Sequence, residues 1–139
     1  MKNNLILRIT AKLLIPFIIL YALYVQFHGD FGPGGGFQAG VIFSSAFILY
    51  TLVYGLETAQ RIIPLRILQL FASLGVLIYI GTGVAALLLG GEFLNYSVLA
   101  DEQITGQHIG ILVIELGVGI TVASVMIMIF FSFAGRGRQ

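Results

Sequence analysis

Long apolar runs broken by short polar stretches dominate this chain. The runs cover about residues 5–27, 37–56, 67–89 and 108–133. Crossing a bilayer takes about 20 mostly apolar residues at ~1.5 Å rise each, and all four runs reach that length. The pattern therefore predicts an all-α integral membrane protein with four transmembrane helices, forming one membrane domain over residues 1–139. The second interruption, residues 57–66, is short, so the second and third spans are expected to be antiparallel neighbours. The third, residues 90–107, is longer and has room for a short interfacial helix. Pro16 lies inside the first span, where its ring should kink the helix or leave a carbonyl without its usual partner. The two halves show no sequence repeat, which gives no support to an inverted-repeat transporter within this chain.

Composition narrows the class. Charged residues make up 9% of the chain and hydrophobic residues 58%, whereas soluble domains carry roughly a quarter of their residues as charges. Cysteine is absent, so disulfides, thiolate metal sites and cysteine nucleophiles are excluded. The start, with Lys2 and Arg8 before an apolar run, lacks a small-x-small cleavage pattern and reads as a retained helix rather than a signal peptide. The cations Lys2, Arg8, Lys12, Arg61, Arg66, Arg136 and Arg138 fall at the two termini and between the second and third spans. With four spans these regions share one face. Asp30, Glu92, Asp101 and Glu102 fall on the other. The positive-inside rule then puts both termini in the cytoplasm and the glycine-rich and 90–107 loops outside.

The first interruption, His28-Gly-Asp-Phe-Gly-Pro-Gly-Gly-Gly-Phe-Gln-Ala-Gly40, is the densest in glycine. Gly32, Pro33, Gly34, Gly35 and Gly36 forbid a regular helix there. Lipid offers such backbone no hydrogen bonds, so the loop is expected to dock on protein or line a wet cavity. A nucleotide cradle is excluded: no Lys-Ser/Thr pair follows and no strand precedes. Gly36-x-x-x-Gly40 and Gly106-x-x-x-Gly110 are small-residue pairs that permit close helix approach. Gln38, Ser44, Ser45, Thr51, Gln69, Ser73 and Thr82 are candidate donors between helices.

Among the acids Glu115 stands out. It lies within the fourth apolar run, where a charged carboxylate costs at least ~2.5 kcal/mol and is a functional candidate by default. His108 lies almost two turns earlier on the same helix face, about 10 Å away along the axis, a spacing suited to a water-bridged relay. Glu115, His108, His28 and Asp30 form the candidate ion or proton path. His28 and Asp30 are too few for a zinc site, so no metal or other cofactor is expected. No nucleophile–base–orienter set is visible, which argues against an enzyme. Four short helices enclose too little to transport anything alone, so the chain is expected to be one part of an assembly.

The run Gly32-Pro33-Gly34-Gly35-Gly36-Phe37-Gln38-Ala39-Gly40, led by His28-Gly29, closely resembles the signature of the small B subunit of Mrp-type multisubunit Na+/H+ antiporters, the MnhB domain family. The resemblance implies a multi-pass protein of a bacterial or archaeal inner membrane, partnered by the other antiporter subunits, with Na+ and H+ as the transported ions. It marks Pro33, Gly34, Gly35, Gly36 and Phe37 as the signature without deciding between ion contact and subunit docking; the tight, charge-poor backbone of Gly32, Pro33, Gly34, Gly35, Gly36, Phe37, Gln38 and Gly40 points to docking. It attaches no role to Glu115. Alternatives are a structural subunit of a related redox-driven complex, of the membrane-bound hydrogenase type, and a free-standing homo-oligomeric channel.

Overall fold

The computed structural model describes residues 5–29 and 34–136. Within them the chain is helical: α1 (Leu5–His28), α2 (Gly36–Tyr54), α3 (Leu56–Ile62), α4 (Leu65–Leu88) and α5 (Gln103–Arg136), with a 3₁₀ turn at Tyr96–Val98. The helices α1, α2, α4 and α5 are each long and apolar enough to cross a membrane. The short α3 occupies the stretch expected to be a loop. It is split from α2 by Gly55, whose φ of 94° ends one helix and starts the next. Helix α5 begins at Gln103, earlier than the apolar run, because Gln103–Gln107 continue the helical backbone above it. Helix α1 runs through Pro16 as one assigned helix.

Packing follows the order α1–α2–α5–α4. Helix α5 contacts both α2 and α4 extensively, α1 packs on α2, and α1 and α4 barely meet. The expected pairing of the second and third spans is therefore wrong. The turn through α3 and Pro64 carries the chain around α5, which lies between them, and α3 tucks under the α2–α5 pair. Its Ala59 joins Leu68 of α4 and Ile127 and Phe131 of α5 in a buried cluster, flanked by Phe47 and Tyr50.

Small residues set the seams. At the α4–α5 crossing a side chain on Gly75 would collide with Thr121 and reach 2.5 Å from the Gly117 carbonyl oxygen. Close approach of this kind is how membrane helices gain packing where lipid removes the hydrophobic drive. Most hydroxyls in the spans bond within their own helix. Ser44, Ser45, Thr51, Ser73 and Thr82 all donate to carbonyls one turn back, which corrects the expectation of donors between helices. Among the described residues two hydroxyls reach across: Thr121 to the Ala72 carbonyl on α4 and Tyr54 of α2 to the Arg8 carbonyl on α1, each at 3.4 Å. Above the seam, segment 89–102 folds over the upper ends of α4 and α5. The Phe93 ring sits on Gly83, the Tyr96 ring sits on Gly110, and Gln107 Nε2 donates to Ser97 Oγ at 2.8 Å. Burial pushes the Tyr96 phenol above its ordinary range, with a smaller push from Tyr79.

A matched pair on α4 tests the seam. Nothing lies within 4 Å of a side chain added at Gly81. Gly75→Val should destabilise the purified protein by about 1–3 kcal/mol through overpacking. Gly81→Val should change stability by less than about 0.5 kcal/mol. Thermal melts in detergent compare the two.

Candidate functional site

Three helix segments converge on Glu115. Helix α1 ends at His28, and Gly29 follows it. The chain re-enters at Gly34, and α2 starts at Gly36. Helix α5 lies across both ends. A Cβ on Gly29 would lie 2.6 Å from Glu115 Oε2 and 2.9 Å from Oε1. One on Gly35 would lie 3.1 Å from Oε1, and one on Gly36 would collide with the Glu115 main-chain oxygen. The carboxylate thus lies in a cradle whose walls are missing side chains. Gly35 is constrained twice, because its φ of 131° lies in the region that L side chains rarely adopt. Its N–H donates to the Val25 carbonyl at 3.3 Å, tying the start of α2 to the end of α1.

The seam continues one turn further. Gly40 lies against the Gly119 carbonyl oxygen, at 2.7 Å from where its Cβ would be. Gly36-x-x-x-Gly40 on α2 is therefore in register with Glu115 and Gly119 on α5. Gln26 of α1 completes the contact, its Oε1 lying 2.5 Å from a Cβ on Gly119. Gln26 and Gly119 did not stand out in the sequence. The signal for Gly119 was its place one turn after Glu115, the spacing that Gly40 has after Gly36.

The electrostatics of the cradle are mixed. The amino end of α2 presents backbone N–H groups and favours an anion, whereas the carboxyl end of α1 disfavours one. Glu115 is half-buried and already has an interaction within the chain. It is level with the ends of α1 and α2. Helix α2, with 19 residues, is about 28 Å long and just matches the ~30 Å hydrocarbon core. That length puts Glu115 near one margin of a core that α2 spans, shallower than its position in the apolar run suggested. Helix α5 continues beyond it for about 18 Å, back to Gln103.

The other candidates lie around this centre. His108 is exposed on α5, on the Glu115 face by spacing. His28 is half-buried at the end of α1, its ring stacked on Tyr24 with centroids 5.0 Å apart. Asp30, Gly32 and Pro33 lie outside the described residues. The described part of the signature divides by direction: Gly35, Gly36 and Gly40 are buried against α5, while Phe37 and Gln38 are exposed. Among the described residues no group of three or more His, Asp or Glu side chains could hold a metal ion.

Comparison with known proteins adds a family to this geometry. The profile described as "domain related to MnhB subunit of Na+/H+ antiporter" matches residues 6–128. The chain belongs to the MnhB family. The proteins named "Putative antiporter subunit mnhB2" from Staphylococcus aureus strains Newman and JH1 are each 35% identical to it over 143 residues, spanning 99% of both chains. In this MnhB-family chain the cradle joins the glycine signature to an acid on the last span.

Two substitutions separate the side-chain wall of the cradle from its main-chain wall. Gly29→Ala meets the end of the Glu115 side chain, whereas Gly36→Ala meets the Glu115 backbone. Both should reduce the chain recovered in the membrane. Adding Glu115→Ala should restore the Gly29 variant and leave the Gly36 variant impaired, as immunoblots of membrane fractions would show.

Proposed function

We propose that this chain is a membrane subunit of a multisubunit Na+/H+ antiporter, anchored by its glycine signature and carrying an acidic group on an ion or proton route. It is a multi-pass protein of the cell membrane, a transporter component rather than an enzyme. The observation that carries the reading is the fit of an acidic side chain into the glycines of the family signature. An acid held there by backbone, at the level where two spans end, can exchange a proton or meet a cation without crossing the whole hydrocarbon layer. Exposed His108, and His28 beside Gly29, offer imidazoles on the approach, with Asp30 as a further candidate. Among the described residues of the signature, exposed Phe37 and Gln38 are available to a neighbouring subunit. The antiporter names of the relatives favour this parent complex over a redox-driven one.

The proposed topology has both termini in the cytoplasm. Its support is the distribution of charge. Arg8, Lys12, Arg61, Arg66 and Arg136 are at one end of the spans with Glu57, and Glu92, Asp101 and Glu102 are at the other.

Glu115→Gln keeps the shape of the side chain and removes its charge. Na+/H+ exchange in vesicles should fall at least tenfold while the complex still assembles, with Glu115→Asp retaining part of the activity. Unchanged exchange in an assembled Gln variant would reduce Glu115 to a packing residue. Because the chain has no cysteine, single cysteines report topology cleanly. Thr105→Cys should react with an impermeant maleimide from outside the cell, and Thr58→Cys only after permeabilisation.

A further inference from the structure

Helices α1 and α4 barely meet, and the space between them is an open groove of about 360 Å³. Leu23 and Phe27 of α1 form one wall and Ile67 and Phe71 of α4 the other, over a floor that includes Gly119 and Ala123 of α5. Gln26 and Ser124 are the polar side chains in a lining that is otherwise apolar or glycine. Water has too few partners in such a space. The groove runs along α5 from Leu116 to Ile127, about 16 Å at helical rise. With Ile67 and Ile63 beyond it, the lining continues from the Glu115 level towards the turn between α3 and α4, long enough for an extended acyl chain entering from that turn. An extended acyl chain, a single file of methylenes, is thin enough to lie in such a groove.

The charge at one mouth identifies the rest of the occupant. The groove reaches Ile63, in the turn between α3 and α4. Arg61 and Arg66 flank that turn and are exposed. The acid on the same connection is Glu57, which has an interaction of its own. Basic groups beside a gap between spans are what anionic headgroups bind, at about 1 kcal/mol per cation near the surface. We infer that this groove is a binding site for an anionic phospholipid, its acyl chain between α1 and α4 and its phosphate at Arg61 and Arg66. The groove adjoins the Glu115 cradle and shares Gln26, Gly40 and Gly119 with it, but the inference does not depend on the antiporter reading.

The test uses the whole complex with a photoreactive phenylalanine analogue in place of Phe71. It is reconstituted in phosphatidylcholine vesicles with or without phosphatidylglycerol and then illuminated. The expected product is a phosphatidylglycerol adduct on this chain, identified by its mass. Its yield should fall at least fivefold in the Arg61→Gln, Arg66→Gln double variant and be kept by Arg61→Lys, Arg66→Lys. The lysine pair guards against a mere assembly defect. Ala123→Phe, which fills the floor, should also reduce the yield. A crosslink to another subunit, or equal lipid adducts whatever the charge of the lipid or the variant, overturns the assignment.

Discussion

The arrangement depends on two backbones meeting where side chains are missing. At Gly36 the start of α2 lies directly against the main chain of Glu115, and one turn on Gly40 lies against Gly119. In lipid no hydrophobic drive presses helices together, so such seams hold by contact over every available atom. Adding even a methyl group at Gly36 separates the helices. It would also disturb the entry from α1, because Gly35 is bonded to Val25 at the same point. The α2–α5 seam therefore fixes where α1 ends, where α2 starts and where Glu115 points.

This joins two features that look unrelated in sequence. The glycines are a loop signature and Glu115 is a lone acid about eighty positions later, yet they form one object. The glycines leave space, and the carboxylate fills it. The buried glycines serve this internal contact, while Phe37 and Gln38 of the same signature are exposed. One short motif thus shapes the interior of the subunit and part of its surface.

Much of this was legible in the chain. The four spans follow from hydrophobic length, and the break near Gly35 follows from glycine and proline chemistry. Glu115 drew attention because an acid in an apolar run is costly. Pairing was not legible. The short 57–66 connection suggested that α2 and α4 are neighbours, but Gly55 and Pro64 let it form α3 and carry the chain around α5. Nor could the sequence show that Ser44 and Thr51 would satisfy themselves within α2, since a hydroxyl in a span can bond its own turn or a neighbour's. The depth of Glu115 depended on where α1 and α2 stop, and only the packing register shows that.

That register leaves the two halves of the molecule at unequal heights. Helices α1 and α2 stop beside Glu115, while α5 rises about 18 Å further to Gln103 beside the upper part of α4. The molecule therefore has a ledge. A bilayer of even thickness cannot cover it with tails alone, because the polar cradle is its floor. Whatever rests on the ledge decides how much water reaches Glu115.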